Sequence, residues 1–418
     1  MIRLFQPSIP RTTRTLFRPT KLKYLIIIIG IIGVLDLFGA FTHLFEYSYD
    51  RYFTYPYEGD VFPFVDALKH NHKPKVKPIN EYNLDYIYNL KDHCVDNNYH
   101  NLRIIFLIKS ALKNFEQRNA IRNSWGFKKR FFDVPTRTLF LLGINNNDDE
   151  LQYKINQESI KYKDILQAKF IDSYYNNTIK TMMGINWAFK NCLNSKFYMF
   201  VDDDMYVSVK NVLAFIRNPA YYPDYLKEPS RMGKREAKYY SSDFNETHVP
   251  INISDNTVLI DNNNNSNNTT IKLNNLKIRK RRQIFDIELP DNVRLFAGYV
   301  FKSSPHRHKT SKWYISLDEY PYDYWPPYVT AGAYILSKNA LVDMYYTSLY
   351  TKHFKFDDIY LGLVAKKADI EPFHCDEFHF YKRDYTPFNY KYVIVSHGYN
   401  NPNELLQVWN EQKALGNA

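Results

Sequence analysis

The run FYMFVDDDMYVS at residues 197–208 sets apolar and aromatic residues directly against three aspartates, then resumes an apolar pattern. A short, bulky run bounded by charge fits a central strand of a parallel sheet, buried on both faces. Three carboxylates held together at the C-terminal end of such a strand repel one another unless a cation sits among them. Ligands of open α/β sheets bind at that edge, and carboxylate oxygens suit hard divalent cations. This one stretch therefore asks for a buried parallel sheet with a metal at its carboxyl edge.

The neighbouring pattern supplies the rest of that sheet. LRIIFLI (102–108), RTLFLLG (137–143) and DILQAKF (164–170) read as further strands. Helical segments fall around EQRNAIRNSW, through 150–163, from Thr178 to Cys192, and over VKNVLAFI after the acidic strand. A β-α-β-α-β-α-β order predicts an α/β chain with a Rossmann-like parallel sheet. With 418 residues the chain holds one large domain or two modest ones. A net charge of +11 suggests a basic surface, yet no zinc-finger, RRM or helix-turn-helix spacing accompanies it. Nucleic acid is therefore not expected as a partner.

The N-terminus carries a different signal. Arg3, Arg11, Arg14, Arg18, Lys21 and Lys23 precede YLIIIIGIIGVLDLFGAF, with no acid before it. Basic residues stay cytosolic, so this pattern predicts an uncleaved signal anchor with the bulk of the chain translocated. A cleaved signal peptide is the alternative, disfavoured by the length of the run and the lack of an A-x-A-like site. Asp36 is a defect in that span, expected near the lumenal interface. The organisation expected is a cytosolic tail (1–23), one membrane helix (24–45), a stem (46–98) and a catalytic domain (99–418). An Asn-rich, basic insertion interrupts the last unit at 228–292, and its RKRR run (279–282) is a cleavage site, an anion patch or a solvated loop.

Cysteines and sequons agree with a lumenal location. Cys94 lies before the first core strand and Cys192 before the acidic one, so an oxidising compartment favours a Cys94–Cys192 disulfide; three buried thiols are the alternative. Asn176, Asn245, Asn252, Asn264, Asn267 and Asn268 each head an N-x-[ST] triplet and are candidate glycosylation sites.

Several further groups carry chemistry. Asp202, Asp203 and Asp204 with water and a diphosphate would make a shell for Mg²⁺ or Mn²⁺. Asp357 and Asp358 in FKFDDIYLG suit one ionised base in a partly desolvated site, or an N-cap for the following helix. His397 ends an apolar strand and could reach the same metal, or be structural. Arg118 and Arg122, four apart on one helix face, meet either phosphates or acidic neighbours. Trp325 opens WPPYVTAGAY, with Gly332 in its small-residue stretch, and is either a sugar-stacking platform or core.

Jointly, R-x-x-I-R-x-S-W (118–125), FLLG (140–143), DIL…DSYYNNTIKT (164–181), VDDDMYV, PPYVTAGAYILS (326–337) and DDIYLG (357–362) resemble glycosyltransferase family 31, the inverting β1,3-glycosyltransferases. The motifs stand in family order over residues 100–415, apart from the insertion. That resemblance implies a GT-A fold with a Rossmann-like nucleotide-binding half, Mn²⁺, a UDP-sugar donor, a glycolipid or glycoprotein acceptor, and a Golgi membrane location. Asp202–Asp204 match the family's D-x-D, with Asp204 the direct metal ligand, and His397 falls where a metal-binding histidine is often placed. Asp202, Asp203, Arg118, Arg122 and Lys180 become candidate donor contacts, and Trp325, Gly332 and Asp357 candidate substrate contacts. Asp358 matches the second acid of the family's E/D-D-V motif, the general base. GlcNAc is the transferred sugar the resemblance favours, with galactose as the alternative, and an inactive lectin- or chaperone-like relative is the rival from another class. DDI replaces the commoner E-D-V, the cysteine common after that motif's glycine is absent, and the insertion has no family counterpart.

Overall fold

The computed structural model describes residues 19–54, 59–95, 102–127, 134–227 and 289–418, with three two-residue strand fragments between the last two segments. The central sheet is built on β2 (Leu102–Lys109), β3 (Thr136–Ile144), β4 (Ile165–Ile171) and β5 (Ser195–Asp202), which follow β1 (Tyr86–Tyr88) in the chain. β6 (Tyr206–Val207), β7 (Phe296–Phe301), β8 (Tyr328–Ser337), β9 (Phe373–His374), β10 (Phe378–His379) and β11 (Val395–Ser396) come after them. Eight strands order as β1-β4-β3-β2-β5-β8-β7-β9. β4, β3, β2 and β5 run parallel, whereas β8 lies antiparallel between β5 and β7. This is a mixed α/β fold with a mostly parallel central sheet, consistent with GT-A.

Near-continuous apolar strands need cover on both faces, and both are covered. Ile105 and Leu107 of β2 point into one core, while Ile104, Phe106 and Ile108 point into the other. The first core packs under α5 (Asn177–Asn191), α7 (Lys338–Ser348) and α8 (Asp357–Lys367); the second packs under α3 (Phe115–Arg122), α4 (Asp149–Tyr162), α6 (Val209–Arg217) and α9 (Pro402–Ala414). Side-chain caps start several of these helices: Asp148 accepts from Leu151 N at 2.9 Å and Ser208 from Asn211 N at 3.1 Å.

Register does the positioning. Lys109, last in β2, pairs across from Asp202, last in β5. β11 pairs with β6, which brings the chain after Ser396 beside the turn that follows Asp202.

Three expectations about the N-terminal region meet this structure. Cys94 and Cys192 are joined as a disulfide with Cα atoms 5.5 Å apart, and Cys375 is buried and free. The stem drawn over 46–98 is not a separate segment: Tyr86–Tyr88 is an edge strand of the main sheet, and Val65 of α2 (Phe62–Lys69) packs on Tyr350. Its lack of periodicity reflects a chain pinned by scattered contacts rather than by its own helices or strands. Of the membrane helix expected over 24–45, only the part up to Leu37 is helical, within α1 (Pro19–Leu37) and with exposed apolar side chains; Gly39 at φ +79° ends it, and Thr42–Phe45 is a 3₁₀ turn. With Lys21, Lys23 and Asp36 inside α1, no helix among the described residues is long and apolar enough to cross a membrane. Residues 1–18, 228–252, Asn264, Asn267, Asn268, Arg279–Arg282 and, within them, Asn245 and Asn252 lie outside the described residues.

Candidate active site

At the carboxyl edge of β2 and β5, the strand ends and the first turn of α8 converge on a cavity of about 470 Å³. Lys109, Asp202, Asp357 and Asp358 line it, together with an aromatic wall that includes Phe301, Trp313, Trp325, Tyr328 and Phe380. A second cavity of about 450 Å³ opens at the other end of β5, around Ser195–Phe197 and Leu289–Val293, and has no comparable acid–base group.

The two adjacent carboxylates of α8 have opposite environments. Asp357 Oδ2 accepts from Lys109 Nζ at 2.9 Å and from Thr181 Oγ1 at 2.8 Å. Burial opposes its charge, but the Lys109 ammonium overcomes that penalty and holds the carboxyl below its ordinary range. Asp358 accepts from Ile359 N at 2.8 Å and has no ion pair among the described residues; burial and the neighbouring Asp357 charge push it up to about 7 against a weaker pull from Lys109. Two neighbouring acids driven apart in this way are the arrangement of a spectator carboxylate beside a base poised near neutrality. Neither is the N-cap of α8, a position taken by Phe356.

The aspartate triplet also divides. Asp203 and Asp204 lie in the turn that follows β5, and the turn aims Asp203 away from its two neighbours. Asp203 Oδ2 accepts from Ser110 Oγ at 2.6 Å and from Asn114 Nδ2 at 3.0 Å, so it secures the turn before α3. Asp202 Oδ1 stands 3.1 Å from Lys109 Nζ, and burial lifts its carboxyl to about 7. Asp204 Oδ2 lies 3.0 Å from His397 Nε2, a contact that raises the imidazole pKa, while Tyr399 N donates to the Asp204 carbonyl at 2.8 Å.

The other oxygen of Asp204, Oδ1, is buried without a hydrogen-bond partner. A buried carboxylate oxygen is costly to leave unmatched. With an imidazole nitrogen facing its sister oxygen, it forms a donor pair that suits a borderline-hard divalent cation. Among the described residues no three His, Cys, Asp or Glu side chains form a ready-made metal cage. A cation here would thus take its remaining ligands from bound substrate and water.

A family model described as Galactosyltransferase matches residues 116–249 and 279–376. The chain is 36% identical over 402 residues to Beta-1,3-galactosyltransferase brn of Drosophila melanogaster, covering 94% of this chain and 96% of that protein. The chain belongs to the galactosyltransferase family, glycosyltransferase family 31. Human Beta-1,3-galactosyltransferase 1 is 28% identical over 340 residues, 81% of this chain and 82% of its own length. Mouse Beta-1,3-galactosyltransferase 2 is 25% identical over 336 residues, 79% and 63% of the two chains. As a member of this family the chain is a β1,3-glycosyltransferase, a hexosyltransferase that requires a sugar donor and a glycan acceptor.

Against that identity, some of the residues singled out by sequence take up other work. Arg118 is fully buried and donates to Glu158, Ser110 Oγ, and the carbonyls of Ala111 and Leu112. Arg122 donates to Glu158 at 2.7 Å and to both oxygens of Asp164 at 2.9 Å. Both guanidiniums are spent on carboxylates, so the acidic-neighbour alternative describes them and the phosphate reading does not. Lys180 Nζ donates to Asp172 Oδ1 and to Ser110 O, each at 2.7 Å, an internal brace rather than a donor contact. Asp203, committed to Ser110 and Asn114, likewise leaves the donor set.

Trp325 belongs to the core and also forms part of the cavity wall. It packs on Tyr320, tilted by 34° with centroids 3.9 Å apart, and is 5% exposed; its remaining surface lines the cavity. Gly332 lies beside Asp202, where any side chain would meet the Met205 methyl. Asn176 precedes α5 with its Nδ2 donating to Ile171 O at 2.7 Å, next to the cavity residues Tyr174 and Asn177.

Sequence reasoning missed Lys109 and Trp313. Lys109 ends an apolar strand in charge, the same signal that drew attention to the aspartates, but a single lysine after LRIIFLI reads as a strand terminator. Trp313 is 45% exposed, and its Nε1 donates to Tyr174 OH at 3.2 Å. It sits in a loop without periodicity.

Proposed function

We propose that this enzyme transfers a hexose from a UDP-sugar to a glycan hydroxyl with inversion, using Asp358 as general base. The observation that carries the reading is Asp358 itself, lifted to about 7 in an aromatic cavity that also holds Asp202. A base with that pKa is about half ionised at neutral pH and still proton-hungry. Asp358 takes the proton from the acceptor hydroxyl; that oxygen attacks the anomeric carbon from the face opposite UDP, and the α-linked donor becomes a β-glycoside in one displacement. Asp357, neutralised by Lys109, stays ionised throughout and keeps the Asp358 proton affinity high. The exposed face of Trp313 and the rings of Tyr328 and Phe301 offer stacking surfaces for pyranose rings.

Mn²⁺, where it binds, would be held by Asp204 and His397 and would supply charge neutralisation for the departing diphosphate. The orphaned Asp204 oxygen supports this assignment. We further propose that α1 anchors the enzyme in the Golgi membrane with the catalytic unit in the lumen. Lys23, near the cytosolic end, is of the type that snorkels to the interface, and Asp36 is matched by Lys309 at 2.6 Å at the other end.

The sequence resemblance puts N-acetylglucosamine forward as the transferred sugar. The names of the three relatives carry galactose, which is the second reading. A donor screen on the purified enzyme, with UDP release measured and product linkage read by NMR, separates the two. Absence of turnover with every UDP-sugar overturns the enzymatic reading; transfer lost in Asp358→Asn supports it.

A further inference from the structure

The chain does not leave α1 as a tether. Ala40 N bonds to Leu35 O and Gly39 N to Asp36 O, each at 2.9 Å, with Gly39 at φ +79°, the pattern of a Schellman end. A Cβ at Gly39 would stand 2.6 Å from Arg307 O, so the helix end is fitted directly onto the catalytic unit. Arg307 is 2% exposed. Its guanidinium donates to the carbonyls of Ile315, Ser316, Tyr320 and Tyr322 and, at 2.7 Å, to Glu46 Oε1. Tyr47 N bonds to Pro321 O at 2.9 Å and Asp323 N to Tyr47 O at 3.0 Å. The segment just past α1 thus clamps the loop that presents Trp313 and Trp325 to the cavity.

A segment so firmly tied nevertheless turns apolar side chains outward. Phe38 is 58% exposed, Leu44 75%, Phe45 70% and Tyr47 58%, continuous with the exposed apolar surface of α1. The His308 ring lies against Phe38 with centroids 4.5 Å apart, and Lys309 N bonds to Leu37 O at 3.0 Å. Exposed aromatic residues at the end of an apolar helix are the composition of a membrane–water boundary. Length points the same way. The uncharged part of α1, Tyr24–Leu35, is about 18 Å of helix at 1.5 Å per residue, against a hydrocarbon core of about 30 Å. The apolar groups nearest to make good that deficit are Leu37, Phe38, Leu44 and Phe45. Thr42–Phe45 is a 3₁₀ turn, so these groups remain close to the helix end.

We propose that residues 38–47, with the loop they clamp, form an interfacial plate seated in the headgroup layer of the bilayer entered by α1. The plate holds the catalytic unit in one posture on the membrane surface. This rests on the anchoring role proposed above for α1.

The test uses the full-length chain in phosphatidylcholine vesicles whose acyl tails carry bromine, with a bimane fluorophore at Phe45→Cys. Two native cysteines are bonded to each other and the third is buried, so the label goes to the new thiol. The reference is Phe388→Cys, 90% exposed and lying in the chain between Tyr385 and Tyr390, which pack in the core on the opposite face of the sheet. Strong quenching at 45 with none at 388 is the expected result. Vesicle-bound protein with an unquenched label at 45 overturns the plate while leaving the anchor intact. Protein that fails to float with vesicles overturns the anchor, and the plate with it.

Discussion

Lys109 and Asp357 meet as a buried ion pair, Nζ to Oδ2 at 2.9 Å, with the lysine side chain 3% exposed and the aspartate 6%. The pair joins the last residue of β2 to the first of α8. It also decides which of two adjacent carboxylates keeps its proton, because Asp358 lies next in sequence and has no such partner.

The first consequence concerns pH. Turnover should rise as pH increases through about 7, where Asp358 ionises, and level off above. Asp358→Asn should remove that limb and lower kcat by about 10² or more, the scale of a lost general base, while calorimetry shows UDP affinity retained. An unchanged pH profile in the variant would transfer the role elsewhere.

The same shift has a stability sign. The folded state holds the Asp358 proton from the ordinary carboxyl value of 3.8 up to about 7, so this group's contribution to stability declines across that window as pH rises. Above pH 7, Asp358→Asn should therefore melt at a higher temperature than the parent enzyme. Scanning fluorimetry at pH 5 and pH 8 reads the difference, which should be larger at pH 8.

Lys109→Met strands Asp202 and Asp357 in a poorly solvated site. Removing one partner of a buried pair costs about 3–5 kcal/mol, so the urea midpoint should fall and turnover with it. Combining Lys109→Met with Asp357→Asn should recover part of the lost stability, because one stranded charge goes too. A double variant no more stable than Lys109→Met would show that Asp202 is the partner that matters.

Asp204→Ala removes the orphaned oxygen and the His397 partner together. UDP affinity measured with Mn²⁺ should collapse to the value measured with chelator, and His397→Ala should weaken it less. Equal Mn²⁺-dependent affinity in parent and Asp204→Ala would remove the metal from this position.

Cys192→Ser opens a bond spanning 98 residues. Loop-closure entropy of the unfolded chain predicts a loss of about 4–5 kcal/mol, measurable as a lower denaturation midpoint that reducing agent does not lower further.

The sheet was legible because buried parallel strands are written as unbroken apolar runs, and the Phe197–Val201 run ends in charge that has nowhere else to go. Asp358 was legible for the same reason, through an acidic pair pressed between aromatics and an apolar helix. What stayed hidden was direction. Asp202, Asp203 and Asp204 are identical letters, and only the turn after β5 shows that the middle one faces Ser110. Arg118 and Arg122 carry the charge a phosphate would want, but Glu158 and Asp164, some 40 residues away, claim it first. The segment after residue 46 shows no period because its order comes from distant partners. A lone lysine such as Lys109 shows its role only when register sets it against Asp202.

Glu46 reaches Arg307 across 261 residues of sequence, and this sets where the enzyme can be cut. A soluble fragment begun beyond Tyr52, chosen to discard the apolar helix, also discards the carboxylate that balances a fully enclosed guanidinium. Such a fragment would keep every residue of the catalytic edge, yet the strap carrying Trp313 would lose its tie. Secretion yield and acceptor affinity should both suffer, whereas a fragment starting at Ala40 would keep them.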